Sequence, residues 1–208
     1  MALSKLSGDE QGVILGQLCN SLEPRRAMYF SSASSELRAL LTPAVRQQLQ
    51  ADHEAAAALC VKMGMDCPWL REATSVHWVN KGLSALTKGL SADDLATLAT
   101  LGSVLPALKQ LILDESSGSA GPDGVQRLAE GLTAGALPAV TYLGIYGMHV
   151  GDAAALALAA ALDRGALPRL KELALTRKAL PLNEAAFVAL RAKKVRVLLV
   201  RRKTRTFI

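Results

Sequence analysis

Apolar and polar residues alternate in three short stretches in the second half of the chain. Each stretch has an L-x-x-L-x-L type core, followed by a polar turn and then by a helical run rich in alanine and leucine. The two-residue period predicts strands whose core residues point inward, while the residues between them point outward. The predicted inward positions are Leu108, Leu111 and Leu113, then Val140, Leu143 and Ile145, and then Leu170, Leu173 and Leu175.

The three stretches belong to an internal repeat. The copies start with Leu-Pro at Leu105, Leu137 and Leu167, so successive copies begin 32 and 30 residues apart. Similarity at a fixed period of this length indicates supersecondary units that stack side by side and bury a shared core.

Two weaker copies flank the repeat. The amino-terminal one starts at Cys67 and, aligned on Pro68 and Leu70, places Ala73 and Ser75 in the core. Degenerate first and last units are typical of the caps of a repeat array. The core residues of the shortened carboxyl-terminal copy are expected to be Val195, Leu198 and Val200.

Turn and cap residues mark the ends of the helix in each unit. Gly121-Pro122-Asp123 places a proline in the first helical turn, and Gly151-Asp152 and Asn183 offer amino-terminal caps. Gly135 and Gly165 follow the last apolar helical residues, where glycine allows the left-handed conformation that ends a helix.

This pattern resembles the leucine-rich repeats of the ribonuclease-inhibitor class over residues 67–200, most specifically over 105–190. The resemblance implies an α/β fold, a short solenoid with a parallel sheet on its concave side and helices on its convex side. The expected organisation is an all-helical domain over residues 1–64, a solenoid of about four to five units over 65–200, and a basic tail over 201–208.

The amino-terminal third of the chain has apolar residues at helical spacing. One pattern runs from Asp9 to Leu22, after which Pro24 restarts the chain. A second pattern runs from Glu36 to Met63, and Gly64 is expected to end it. Pro43 is expected to kink or split this second helix, because proline disrupts a helix interior.

The segment from Leu6 to Leu41, LSGDEQGVILGQLCNSLEPRRAMYFSSASSELRALL, resembles an F-box. It has an acidic opening, an Ile-Leu helix, a Leu-Glu-Pro-Arg break, a short second helix and a serine-rich turn into a third. The resemblance implies docking to the adaptor subunit of cullin-type ubiquitin ligases. The alternative is a helical cap that covers the amino-terminal edge of the solenoid.

Charge is concentrated at the carboxyl terminus. The chain has a net charge of +6, and the remaining 17 basic and 18 acidic residues nearly cancel once seven basic residues near the end are set aside. The tail is therefore expected either to prevent unwanted strand pairing at the edge of the sheet or to bind an anionic partner, namely RNA, an acidic protein or lipid head groups. The seven residues are Lys193, Lys194, Arg196, Arg201, Arg202, Lys203 and Arg205.

Cysteine content and hydropathy bear on the compartment. The chain has three cysteines, an odd number, and none of them has CxxC spacing, which favours unpaired thiols in a reducing compartment. They are Cys19, Cys60 and Cys67. The longest apolar run, Ala153 to Leu162, is about half the ~20 residues of a membrane-spanning helix. No apolar segment precedes Asp9, so we expect no secretory signal. We expect an intracellular protein, with cytoplasm or nucleus favoured and an organelle left open.

The sequence shows no set of residues suited to catalysis. The loop from Ser116 to Gly124 lacks the Gly-Lys-Ser/Thr of a phosphate-binding loop. Asp93-Asp94 after Ser91 suits helix capping, and Asp114-Glu115 is the other acid pair. We expect no enzymatic activity, no cofactor and no metal, since three isolated histidines supply no ligand cluster. These histidines are His53, His77 and His149.

The outward positions of the strands form the candidate binding surface. Tyr142 and Tyr146 are the expected anchors, because tyrosine buries a large area and still forms hydrogen bonds. The last strand is expected to extend the surface with Val197, Leu199 and Arg201. The candidate partner-binding residues are Gln110, Ile112, Asp114, Tyr142, Tyr146, Glu172, Thr176, Arg201, Arg202, Lys203 and Arg205.

These features predict a non-enzymatic protein-interaction module or scaffold subunit that binds a protein partner through the solenoid. That partner could belong to a large complex. Two alternatives stay open. The F-box-like segment favours a substrate receptor of a ubiquitin ligase, and the basic tail favours a structural subunit anchored in a large assembly.

Overall fold

The computed structural model of the chain is mixed α/β, with helices and one five-stranded parallel sheet. It describes residues 5, 7, 10 and 14 and the ranges 19–33, 35–80, 89–115, 120–148, 150–176, 184–192 and 195–200. The chain divides into two compact units, Met1–Trp69 and Leu70–Ile208. Within the described ranges, no helix combines the length and the apolar content needed to cross a membrane.

The described part of the first unit is helical. Its helices are α1 (Pro24–Ala33), α2 (Ser35–Leu40) and α3 (Pro43–Lys62), and α4 (Cys67–Glu72) begins at its end. The predicted restart at Pro24 and the predicted split at Pro43 are both confirmed. The pattern expected from 9 to 22 lies largely outside the described residues.

The split before α3 has a clear local cause. Thr42 caps the helix, since its side chain accepts a hydrogen bond from the backbone N–H of Val45, and Pro43 occupies the first turn. The core of this unit includes Leu41 and Leu49, which are buried together with Ala27. Proline therefore starts a new helix here instead of bending an existing one.

The second unit alternates strands and helices. Its elements are β1 (Ser75–Asn80), α5 (Ala92–Thr100) with a following 3-10 turn (Leu101–Val104), β2 (Gln110–Glu115), α6 (Gly121–Gly131), β3 (Tyr142–Tyr146), α7 (Asp152–Asp163), β4 (Glu172–Thr176), α8 (Glu184–Arg191) and β5 (Arg196–Val200). The strands lie in the order β1-β2-β3-β4-β5 and every neighbouring pair is parallel. Consecutive helices from α5 to α8 contact one another, as expected when each parallel pair is joined by a helical crossover.

The register of the three central strands confirms the predicted core. Leu111 pairs with Leu143 and Leu143 with Leu173, while the next inward column joins Leu113, Ile145 and Leu175. All nine predicted core positions are buried. We call the face that carries Leu111 and Leu113 the inner face, and the opposite face the open face.

In the first strand, the residues that point inward are not the ones predicted. Val76 pairs with Leu111 and Trp78 with Leu113, so these two residues are the inward ones. Ser75 lies beside Gln110 on the open face, and its predicted place in the core is wrong. The physical reason is that the large apolar pair Val76 and Trp78 must be buried, whereas Ser75 loses nothing by facing solvent.

The last strand is also shifted by one residue. Val197 pairs with Leu173 and Leu199 with Leu175, so both belong to the inner face, although they were predicted on the outward surface. Leu198, predicted inward, lies on the open face beside Ala174, and so does Val200 beside Thr176. Four apolar residues in succession from Val197 to Val200 carry no alternation, and hydrogen bonding to β4 sets the phase instead.

Most of the helix boundaries follow the predicted signals. Pro122 lies in the first turn of α6, and α7 begins at Asp152 after an extended Gly151. Gly165 has a φ of 84° directly after the cap of α7, which confirms the predicted left-handed stop. Gly135 also has a positive φ, but α6 has already ended at Gly131. The expected cap Asn183 lies outside the described residues.

Two of the three Leu-Pro turns share an unusual backbone. Leu137 and Leu167 have φ values of 52° and 51°, a left-handed conformation that disfavours side chains with a Cβ by about 1–2 kcal/mol. Both leucines are buried, and the N–H of each donates to a carbonyl of the preceding unit. Burial of the leucine side chain offsets the backbone strain. Leu105 does not share this conformation, because its φ is −113°.

Candidate interaction surface

The open face is a grid of three columns that run across the five strands. The register brings together one outward residue from each strand in every column, so residues far apart in sequence become neighbours. The first column is Ser75, Gln110, Tyr142, Glu172 and Arg196; the second is His77, Ile112, Gly144, Ala174 and Leu198; the third is Val79, Asp114, Tyr146, Thr176 and Val200.

Two tyrosines lie over a glycine at the centre of this face. A Cβ atom placed on Gly144 would lie 2.8 Å from Cε2 of Tyr146 and 3.2 Å from Cε1 of Tyr142. The two hydroxyl groups are hydrogen-bonded to each other. Gly144 is therefore buried beneath the rings, and each ring is held by packing at its face and by a hydrogen bond at its tip. Rings fixed in this way lose little further freedom when a partner binds.

The hydroxyl of Tyr146 stays protonated under physiological conditions. Its pKa is raised above the ordinary value, first because burial disfavours the phenolate. The hydrogen bond and the charge of Tyr142 raise it further, and the negative charge of Asp114 adds a smaller contribution. Tyr146 therefore offers a neutral hydroxyl group that can donate and accept hydrogen bonds.

Polar contacts flank the tyrosines on both sides. Towards β5, the guanidinium of Arg196 forms an ion pair with Glu172 at 3.1 Å. Towards β1, the Oγ atom of Ser75 lies 2.9 Å from Nε2 of His77 and donates to Oε1 of Gln110 at 3.4 Å. An aromatic centre with polar groups around it is the usual composition of a protein-binding patch.

Strand β1 supplies site residues that the sequence reasoning missed. Ser75, His77 and Val79 face outward, and Val79 is 50% exposed. The weaker first copy was aligned on its Leu70 position, which hid these residues. The alternation of Val76 and Trp78 with polar neighbours was the signal that could have found them.

Six predicted binding residues lie on the open face, and each is at least partly exposed. They are Gln110, Ile112, Asp114, Tyr142, Tyr146 and Glu172. Thr176 belongs to the same face but is buried, and its hydroxyl accepts a hydrogen bond from the backbone N–H of Gly147 at 3.0 Å. Its hydroxyl therefore holds the turn after β3, and its role in partner contact stays a prediction.

The tail residues predicted to meet an anionic partner lie outside the described residues, and that role stays a prediction. They are Arg201, Arg202, Lys203 and Arg205. Arg196, which was counted with the basic residues of the carboxyl terminus, is described, and its charge is paired with Glu172 on the open face.

The adjacent acids Asp114 and Glu115 point to opposite faces of the sheet. Glu115 is fully buried, and its Oε2 atom accepts hydrogen bonds from Nε1 of Trp78 at 3.2 Å and from the backbone N–H of Leu90 at 2.9 Å. This carboxyl group ties the first strand to the segment before α5. In the part of the chain that the structure describes, no group of three or more His, Cys, Asp or Glu side chains could hold a metal ion.

The open face is thus the surface on which aromatic and polar groups converge. Comparison with models of known protein families gives no match for this chain, and comparison with curated proteins gives none either.

Proposed function

We propose that the chain is a leucine-rich-repeat protein that binds another protein through the open face of its sheet and performs no catalysis. Each unit of about 30 residues contributes one strand and one helix, and successive strands are neighbours in register. This arrangement is what stacked leucine-rich repeats require, and it supports a solenoid over residues 67–200.

The observation that carries the binding role is the tyrosine pair fixed over Gly144. The rings of Tyr142 and Tyr146 present an apolar surface with two hydrogen-bonded hydroxyl groups, and Ile112 lies beside Gly144 in the adjacent strand. Tyrosine is enriched among the residues that dominate binding free energy, especially near the centre of an interface. Gln110 and Glu172 flank the pair and supply hydrogen-bonding groups for specificity.

The proposal can be tested by partner capture with the full chain and two matched variants. Ile112→Glu places a charge at the centre of the open face, whereas Leu156→Glu places the same charge on α7, where the side chain is already 48% exposed. Partners captured by the unmodified chain are quantified by mass spectrometry, and their dissociation constants are then measured with purified protein. We expect binding to fall at least tenfold with Ile112→Glu and to persist with Leu156→Glu. The reverse pattern would place the binding surface on the helices.

A second candidate function is supported by one feature of the first unit. Met28 and Tyr29 on α1 are 49% and 71% exposed, and both lie within the F-box-like segment. Exposed apolar side chains on a short helix suit docking to the ligase adaptor, as an F-box-type substrate receptor requires. The two functions are compatible, because they use different units of the chain.

The receptor role predicts direct binding of the full chain to the purified adaptor. Tyr29→Asp is expected to abolish this binding, and Val61→Asp serves as the control because Val61 is also exposed but lies outside the segment. Titration calorimetry gives both affinities. Absence of binding by the unmodified chain at micromolar concentration would remove the receptor role and leave the open-face proposal intact.

A further inference from the structure

Two cysteine thiols meet at the turn between α3 and α4. The Sγ atoms of Cys60 and Cys67 are 3.6 Å apart, and the thiol of Cys67 donates to Cys60. Cys60 is only 1% exposed, whereas Cys67 is partly exposed. Both are free thiols in the structure.

The local sequence forces this approach. Gly64, with a φ of 70°, reverses the chain after α3, and the N–H of Met65 returns to the carbonyl of Cys60 at 3.0 Å. Asp66 then accepts a hydrogen bond from the backbone N–H of Trp69, which starts α4 at Cys67. Because the turn is held by hydrogen bonds at both ends, the two sulfur atoms are positioned by backbone geometry.

The two cysteines differ in access to solvent. Cys67 is partly exposed and lines a hollow in the first unit together with Tyr29 and His53, so this residue borders space that a small molecule can enter. Burial, followed by the neighbouring Cys67 and Asp66, raises the pKa of Cys60 to about 12, which keeps this thiol protonated. The accessible thiol is therefore the one that reacts first, and the buried thiol is placed to react second.

We propose that Cys60 and Cys67 form an intramolecular redox site that a hydroperoxide converts into a disulfide. The thiol of Cys67 loses its proton, and the thiolate attacks the terminal peroxide oxygen as the O–O bond breaks. The leaving oxygen takes up the released proton and departs as an alcohol or water, which gives a sulfenic acid at Cys67. The sulfur of Cys60 then attacks the sulfur of Cys67, its proton and the hydroxyl group leave as water, and the S–S bond forms. Two electrons pass from the two thiols to the peroxide, and a dithiol reductant reverses the reaction.

The test uses the full chain treated with hydrogen peroxide, then unfolded in denaturant so that buried thiols are also exposed, and then treated with a maleimide that labels free thiols. The reduced chain takes up three labels, and we expect the oxidised chain to take up one, at Cys19, with a loss of about 2 Da before labelling. Trypsin cuts after Lys62, so the disulfide is expected to join peptide 47–62 to peptide 63–71. Closing this short ring also restricts the unfolded chain, and the unfolding temperature is expected to rise by several degrees.

Two variants serve as controls. Cys19→Ser is expected to form the same linked peptides, and Cys67→Ser is expected to form none. Phenylarsine oxide gives a second readout without an oxidant, because one arsenic atom binds two neighbouring thiols with loss of water. It should bind one-to-one to Cys19→Ser and fail to bind Cys67→Ser.

Several outcomes would overturn the proposal. Three free thiols after peroxide treatment, a disulfide that includes Cys19, or a disulfide between two chains would each show that the pair does not react as a unit. A sulfinic acid at Cys67 beside a labelled Cys60 would show the same, because the second step must be faster than further oxidation.

Discussion

The two faces of the sheet follow different rules. In β1 to β4, the two inner-face columns that include all four strands hold eight apolar residues, each at most 8% exposed, while the third inner-face position of β1 and β2 holds the buried polar residues Asn80 and Glu115. The open face holds glycine, tyrosine, charged and aliphatic residues within the same three columns. Burial therefore restricts most of the inner face to apolar residues, while the open face is free to vary and can encode a binding preference.

The largest effect is expected on the inner face. Leu143→Ala removes a buried side chain from the middle of a column and leaves a cavity, so we expect a loss of about 2–5 kcal/mol in the free energy of unfolding. Urea denaturation followed by circular dichroism measures it. Gln110→Ala, an exposed position on the open face, is expected to change stability by less than about 0.5 kcal/mol. Equal losses for the two variants would contradict the division between the faces.

The buried carboxyl group of Glu115 is one of two polar side chains described on the inner face, and the other belongs to Asn80. Glu115→Ala leaves the N–H groups of Trp78 and Leu90 without this acceptor, and we expect a loss of about 2–3 kcal/mol in the free energy of unfolding. Glu115→Gln keeps one acceptor oxygen of similar reach, and a smaller loss is expected. Thermal denaturation of the pair distinguishes the two cases. If alanine and glutamine were equally destabilising, the acceptor role would be wrong.

Substitutions on the open face should reduce partner affinity much more than the free energy of unfolding. The double variant Tyr142→Ala and Tyr146→Ala removes the aromatic centre and uncovers Gly144, so we expect partner affinity to fall by tenfold or more. The free energy of unfolding should fall by only about 1 kcal/mol, because the rings are partly exposed. Affinity measurements and urea denaturation on the same preparation test both parts. Retained affinity would remove the tyrosines from the binding surface.

The smallest effect concerns the ionisation of Tyr146. The folded chain holds this proton above the ordinary pKa of 10.0, so the contribution of the neutral phenol to stability is complete below pH 10 and declines as the pH rises further. Tyr146→Phe has no proton to lose, and its stability should fall less between about pH 8 and pH 10.5. Denaturation midpoints at the two pH values provide the measurement. A parallel decline in both proteins would assign the effect to other groups.

The sequence predicted the central strands well because their leucines are separated by polar residues. It failed for β5, where Val197 to Val200 are all apolar, and for β1, where Ala73 and Ser75 were aligned with leucine positions. In β5, hydrogen bonding to β4 fixes the inward and outward positions, and the strand alone does not contain that information. In β1, the alternation of Val76 and Trp78 with polar neighbours did contain it, but the alignment on Leu70 hid this pattern.

Only part of the candidate site could be predicted from the sequence. The outward residues of the central strands could be predicted, but the burial of Thr176 and the packing of two tyrosines over Gly144 depend on neighbours in space. The approach of Cys60 to Cys67 was also hidden, because seven residues is not a familiar cysteine spacing. It becomes visible only when the turn at Gly64 is known.

The left-handed backbone that Leu137 and Leu167 share would allow a further repeat unit to be inserted into this chain. The segment from 137 to 166 begins at one left-handed leucine and ends immediately before the next, and both leucines donate their N–H to the preceding unit. A tandem duplicate of these 30 residues would therefore have the same backbone conformation and the same kind of hydrogen bond at both of its ends. Such an insertion should add one strand and one helix without a new kind of turn, so the chain carries its own module for extension.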